Sequence, residues 1–159
     1  MTSKMYRILV TSDSHGDPGY ICDAIDNIID IDLIVHLGDH AADIREVTKK
    51  YPDYEYRSVR GNCDAYDPTI EEDTIEIDGF KIFITHGHRY GVKTGLDRLV
   101  SHALDIGADC ALFGHTHQPF CERVDGVLLL NPGCGERYGR PGSIGIIEIE
   151  DDEIKGCVL

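Results

Sequence analysis

Five strand-like runs in this chain, most of them apolar, each break off into a short polar loop carrying Asp, Asn or His, and no other pattern restricts the fold as much. Tyr6 to Thr11 runs into Ser12-Asp13-Ser14-His15-Gly16-Asp17, Leu33 to Leu37 into Gly38-Asp39-His40, and Tyr56 to Arg60 into Gly61-Asn62-Cys63-Asp64. Lys81 to Thr85 runs into His86-Gly87-His88, and Cys110 to Phe113 into Gly114-His115-Thr116-His117. Runs of this length and composition predict strands, all ending in the same kind of loop.

Amphipathic stretches follow the first two loops, Tyr20 to Ile29 and Ala41 to Lys50, the second with Ile44 and Val47 on one face. Two successive βα units predict parallel strands. The pairing then changes: Thr74 to Ile77 and Lys81 to Thr85 are joined by Asp78-Gly79, a tight-hairpin dipeptide. A third helix is expected at about Leu96 to Ile106. The remainder reads as strands: Phe120 to Val124, a turn at Asp125-Gly126, Val127 to Leu130, a Gly- and Pro-rich loop from Asn131 to Ser143, and a last hairpin around Asp151-Asp152. The set predicts an α/β, four-layer αββα sandwich, two mixed β-sheets packed face to face and flanked by helices. With 159 residues there is material for one core, so a single domain spanning 1–159 is expected.

Charge limits what such a chain can act on. A formal net charge of −14 opposes a nucleic-acid backbone, whose binding depends on Lys and Arg displacing counterions, so a small substrate held by cations is expected instead. The same excess also fits adaptation to a salty cytoplasm. Six cysteines without a close CxxC pair read as free thiols. The segment Met1 to Val10 lacks a signal-peptide core, and no run approaches a membrane span, so a cytoplasmic protein without a membrane partner is expected.

Asp13, His15, Asp39, Asn62, His86, His115 and His117 all follow expected strands, where residues distant in the chain converge. Imidazole nitrogens with carboxylate and amide oxygens suit Mn, Fe, Co, Ni or Zn. Residues two apart in an extended loop point to one side, so Asp13 with His15, and His115 with His117, can each grip one ion. Gly38 lets the backbone turn sharply before Asp39, whose carboxylate can serve two ions. A single histidine near a strand end is more often structural. His36, inside an apolar strand, is read that way, His102 as a helix-surface residue and His40 as a neighbour of the ligands. Cys22, Cys110, Cys121 and Cys157 read as small packing residues, and Glu71-Glu72-Asp73 and Glu150 to Glu153 as turn or edge features that resist aggregation.

The ordered motifs Asp13-Ser14-His15, Gly38-Asp39, Gly61-Asn62, Thr85-His86-Gly87-His88 and Gly114-His115-Thr116-His117 resemble those of calcineurin-like metallophosphoesterases, over nearly the whole chain. They are most similar to the small prokaryotic phosphodiesterase branch. The resemblance implies two divalent metal ions, manganese first, with nickel, iron, cobalt or zinc as alternatives. Asp13, His15, Asp39 and His117 would hold one and Asp39, Asn62, His86 and His115 the other, with Asp39 bridging. Ions roughly 3.5 to 4 Å apart can share and acidify a water, which would attack a small-molecule phosphoester in line. Relatives in this branch imply a homodimer or small homo-oligomer.

Beyond the ligands, the catalytic set expected from the resemblance is Asn62, Cys63, Asp64 and His88. The wider family carries a histidine after Gly-Asn, where this chain has Cys63. A thiol of pKa about 8.5 is a poor replacement for imidazolium as a general acid, which predicts a preference for good leaving groups. The other reading of Cys63 is a small residue tolerated beside the ions. Asp64 is expected to orient a group near the substrate, and His88 to donate to a phosphoryl oxygen or to ligate through its carbonyl. Asn131-Pro132-Gly133 resembles a late family loop beside the site, with Cys134 where serine is usual and Arg137 or Arg140 near substrate. Two alternative functions share the motifs: a metal-binding interaction scaffold, as in a eukaryotic retromer subunit that resembles this fold, and a phosphomonoesterase.

Overall fold

Alternate residues of the central strands enter different cores, and this period of two builds the layers. The computed structural model describes residues 4–135 and 139–159. Its strands are β1 (Tyr6–Thr11), β2 (Leu33–His36), β3 (Glu55–Ser58), β4 (Glu72–Ile77), β5 (Phe80–Thr85), β6 (Cys110–Leu112), β7 (Phe120–Val124), β8 (Val127–Asn131), β9 (Gly145–Glu150) and β10 (Glu153–Val158). Its helices are α1 (Gly19–Asn27), α2 (Ala42–Lys50) and α3 (Asp97–Asp105), with a 3-10 turn at His88–Tyr90. One sheet has the order β10-β9-β1-β2-β3 and the other β4-β5-β6-β8-β7. In the first, β1, β2 and β3 are parallel, and β9 and β10 add antiparallel. In the second, β5, β6 and β8 are parallel, with β4 and β7 antiparallel at the edges.

Ile8, Val10, Leu33, Val35, Ile147 and Ile149 of the first sheet meet Ile82, Ile84, Leu112, Leu128 and Leu130 of the second in one buried cluster. The intervening residues Leu9, Ile34 and Ile146 point the other way and pack under α1 and α2 against Ile21, Ile25, Ile44 and Val47. Phe83, Ala111 and Leu129 likewise meet Leu99, Val100 and Ala103 of α3. The order of layers is therefore helices, sheet, sheet, helix, the αββα arrangement read from the sequence. Strands buried on both faces explain the unbroken apolar runs, since neither face demands polar residues.

The three hairpins turn at Asp78-Gly79, Asp125-Gly126 and Asp151-Asp152, with both φ angles positive in each pair, the requirement of the tight turn that matches strand twist. Helix α1 ends two residues short of Ile29: the chain is already extended at Ile28, and Ile29 is exposed. Two readings need correction. Cys157 is exposed because edge strand β10 turns Ile154 inward and presents Lys155 and Cys157 outward. His102 is half-buried, its ring 4.8 Å from Phe83 and 5.1 Å from Tyr90, because its flank of α3 lies over β5 and the 3-10 turn. Among the described residues no helix is long and apolar enough to cross a membrane.

Ile147 is fully buried between the sheets. Ile147→Ala should cost about 2–5 kcal/mol, read as a lowered urea midpoint. A loss below about 1 kcal/mol would mean that the seam collapses around the missing atoms.

Candidate metal centre

The carboxyl ends of the parallel strands carry the motif loops, the end of an α/β sheet where ligands generally bind. Asp13, Asp39 and Asn62 follow β1, β2 and β3 of one sheet, and His86 and His115 follow β5 and β6 of the other. The structure brings six of the seven candidate ligands into two groups with donor atoms within 4.8 Å of one another: Asp13, His15, Asp39 and His117, and Asp39, His86 and His115. Asp39 alone belongs to both.

Each carboxylate is held by one oxygen. Asp13 Oδ2 accepts hydrogen bonds from Ser12 Oγ (2.5 Å) and from the His115 backbone N–H (3.1 Å), the second crossing between the sheets. Asp13 Oδ1 is buried without a hydrogen-bond partner among the described residues, 3.2 Å from His117 Nε2, 3.8 Å from His15 Nε2 and 3.9 Å from His86 Nε2. Asp39 Oδ1 accepts the Cys63 N–H (3.0 Å), and Oδ2 faces His86 Nε2 at 3.4 Å. His86 Nδ1–H donates to the Leu37 carbonyl (2.8 Å), which aims the Nε2 lone pair into the site. Two pairs of imidazole nitrogens then confront each other, His86 Nε2 with His115 Nδ1 at 3.2 Å and His15 Nε2 with His117 Nε2 at 3.3 Å.

A buried, orphaned carboxylate oxygen facing converging basic nitrogens fits a cation, because a shared positive charge is what removes the cost of such burial. The donors are nitrogen and oxygen, which suits a borderline to hard divalent ion. Burial opposes ionisation of Asp39, but its contacts with His86 and Cys63 outweigh that and hold its carboxyl well below the ordinary range. Burial, with His86 and Lys93 nearby, pushes His115 down to about 4, so its ring is neutral and able to ligate at physiological pH.

The remaining candidates surround this centre. Asn62 is exposed, with its Nδ2 3.8 Å from Cys63 Sγ. Cys63 is also exposed, and burial together with Asp39 raises its thiol above the ordinary value. Both Asp64 carboxylate oxygens take backbone N–H groups: Oδ1 those of His40 (2.9 Å) and Ala41 (3.1 Å), Oδ2 that of Gly61 (2.9 Å). That side chain splices the loops after β2 and β3. They run so close that a side chain on Gly38 or Gly61 would strike the opposite backbone, the Asp39 carboxylate or the His86 ring. His88 lies in the 3-10 turn with its ring 5.5 Å from His86 and 6.1 Å from His115, and its buried Nδ1 has no hydrogen-bond partner among the described residues. The His40 ring is 5.6 Å from His15. Arg140 is exposed, and Arg137 lies outside the described residues.

A supporting layer was not singled out from the sequence. His36 Nδ1 accepts the Gly38 N–H (3.2 Å) and its Nε2 meets Ser14 Oγ (2.9 Å). That hydroxyl donates to Asp43 Oδ2 (2.6 Å), which also takes the Gly16 N–H (2.8 Å). This chain braces the Asp13–His15 loop from below and satisfies buried His36, as its structural reading required. Asn131 Nδ2 donates to the Gly114 carbonyl (3.2 Å) and to Thr116 Oγ1 (2.9 Å), fixing the His115–His117 loop. Its place at the end of β8, parallel to β6, is the signal that could have marked it. The acidic run at β4 is indeed an edge, but a tied one. Glu71 pairs with Arg60 and Arg89, Asp73 with Arg57, and Glu72 accepts from the Tyr90 hydroxyl (2.6 Å).

Comparison with known proteins gives a consistent result. Residues 6–152 match the calcineurin-like phosphoesterase superfamily domain. Phosphodiesterase MJ0936 of Methanocaldococcus jannaschii is 32% identical over 173 residues, covering 96% of this chain and 99% of the relative. A solved structure from Streptococcus pneumoniae, described as a conserved uncharacterized protein and predicted phosphoesterase, superposes with a TM-score of 0.79 at 27% identity, covering 99% of this chain and 90% of the other. Vacuolar Protein Sorting 29 of Cryptosporidium parvum shares the fold, with a TM-score of 0.76 at 18% identity and coverage of 99% and 98%.

Burial lowers His36 from 6.5 to about 4, so the folded protein keeps the ring neutral where the unfolded chain would protonate it. The stability this carries is complete above pH 6.5 and is lost as the pH falls to about 4, roughly 3 kcal/mol in all. Urea midpoints of chelator-treated protein should show that fall, and His36→Gln should make it shallower, leaving the share that His115 carries. An equal fall in both proteins would contradict a buried neutral ring.

Proposed function

This chain belongs to the calcineurin-like phosphoesterase superfamily, and from that premise we propose that it is a divalent-metal-dependent phosphodiesterase of the cytoplasm, hydrolysing a small phosphoester as a single domain. Asp13, His15, Asp39 and His117 are the proposed ligands of one ion, and Asp39, Asn62, His86 and His115 those of the second. The observation that carries this reading is the orphaned Asp13 Oδ1 among imidazole nitrogens, beside an Asp39 common to both donor groups. The ions, with manganese the first candidate, would supply an acidified water and a positive seat for phosphoryl oxygens.

The chain's own groups hold that arrangement rigid. The Leu37 carbonyl fixes the His86 tautomer, and Asp64 and Asn131 pin the loops on either side. Asp64 is accordingly a positioning residue. His88 is the proposed phosphoryl contact: its ring stands beside those of His86 and His115, and burial and His86 lower its pKa, so the neutral ring carries one N–H to donate. Cys63 stays a protonated thiol at neutral pH, too weak an acid to assist an alkoxide effectively. That favours esters whose leaving group departs unprotonated. The relative MJ0936 bears the name phosphodiesterase, which supports a diester over a monoester.

The test is hydrolysis of matched p-nitrophenyl diester and monoester by chelator-stripped protein, alone and with Mn, Ni or Mg restored. Metal-restored turnover favouring the diester is expected. Asp39→Ala should lose more than the roughly 10–100-fold that removal of a partner one layer behind a metal ligand costs. Stoichiometric metal binding without turnover of either ester would move the assignment to an interaction scaffold.

Cys63→His separates the proton question from the metal question. The variant should gain more on esters with poor leaving groups than on p-nitrophenyl esters, by about 10-fold or more. Equal change on both classes would count against a missing acid.

A further inference from the structure

A cavity of about 490 Å³ lies against the His115–His117 loop, and the proposed phosphoryl chemistry leaves it unused. Thr116, between the two histidines, forms part of its wall. Val92, another wall residue, packs where a side chain on Gly87 would stand, between His86 and His88. Leu96, Phe113, Pro119 and Phe120 make the lining apolar, with the Phe113 and Phe120 rings 6.3 Å apart and tilted at 58°.

The polar groups are few and placed at the side of the metal centre. Thr116 Oγ1 is fixed by Asn131 Nδ2 and by the Gln118 backbone N–H (3.1 Å). Lys93 lines the same cavity, is exposed, and has no ion-pair partner among the described residues. A cavity of this size, apolar with a few fixed polar groups, has the character of a small-molecule site. Tilted aromatic walls receive another ring better than an alkyl group of equal size.

We propose that this cavity is the subsite for an aromatic substituent of the phosphoester, with Lys93 at its mouth drawing the phosphoryl group toward the His115 side of the centre. The assignment rests on the phosphoesterase reading above and adds the substrate class to it. One wall of the subsite is then the backbone that carries the candidate ligands, so ring and phosphorus are registered by a single rigid loop.

Binding tests this without requiring turnover. Calorimetry on manganese-loaded protein should find phenylphosphonate bound at least 10-fold more tightly than methylphosphonate. Leu96→Asp should collapse that ratio toward one. Leu96 is the residue preceding α3 at its N-cap, where Asp is a favoured residue, and an unchanged far-ultraviolet dichroism spectrum will show that the helix persists. Lys93→Ala, at an exposed position, should weaken both phosphonates by a similar factor and leave their ratio standing. Equal affinity of the wild-type protein for the two, or no binding of either, overturns the subsite even if diesters are hydrolysed. A 10-fold ratio in a protein that hydrolyses no ester keeps the subsite and removes the catalytic reading.

Discussion

The buried carboxylate of Asp13 ties the two halves of the molecule together. Its chain position is the end of β1 in one sheet, yet its Oδ2 holds the backbone of His115 at the end of β6 in the other. Its own N–H donates to the Gly38 carbonyl and its carbonyl accepts from Gly135 N–H, so four loops meet at this residue. A carboxylate so placed would be costly if its second oxygen stayed unmatched, since burial removes the water that would otherwise solvate it. The fold thus creates an electrostatic need that a cation among the imidazoles would meet, and site and sandwich become parts of one problem.

The backbone carries a second cost. Asp13, His15, Asp39, His115 and His117 all have positive φ, between 50° and 71°. Left-handed backbone costs a non-glycine residue about 1–2 kcal/mol, less for Asp and His, which tolerate it better than branched residues. Sharp turns of this kind let side chains two residues apart face a common centre while the chain leaves the strand. Such geometry persists only where neighbours over-determine it. The His36–Ser14–Asp43 chain, the Asp64 splice and the Asn131 amide supply that restraint at three of the loops. Strain at the ligands and hydrogen bonding beneath them are therefore coupled, and the result is a donor set arranged before any ion arrives.

What could be read from the sequence was whatever repeats locally. The apolar, β-branched runs of β1, β2 and β5 and the hairpin dipeptides marked the strands, and the polar residue after each strand marked the candidate ligands. The braces were less legible because their partners are far apart in the chain: Ser14 and Asp43 are separated by 29 residues, and Asp13 and His115 by 102. Asp43 looks like any acidic residue on the first turn of a helix until the packing of α2 buries it. Cys157 and His102 were misread for a related reason. Their own strand and helix were recognised, but which flank an element turns to its neighbours depends on its place in the sheet order, and local sequence does not state it.

A net charge of −14 in a protein built to receive an anionic phosphoester looks contradictory only if charge is treated as uniform. Exposed charges are screened over about 8 Å at physiological ionic strength, whereas groups inside the centre are shielded from salt. There the proposed ligands contribute two carboxylates, four imidazoles and the Asn62 amide. Two divalent ions would more than balance them, leaving a local positive surplus directed at the substrate. An acidic exterior opposes the close approach of a polyanion, while two ions inside would attract a single phosphoryl group. The lone Lys93 beside an apolar cavity is consistent with that division, since a centre that carries its own positive charge needs little help from cationic side chains.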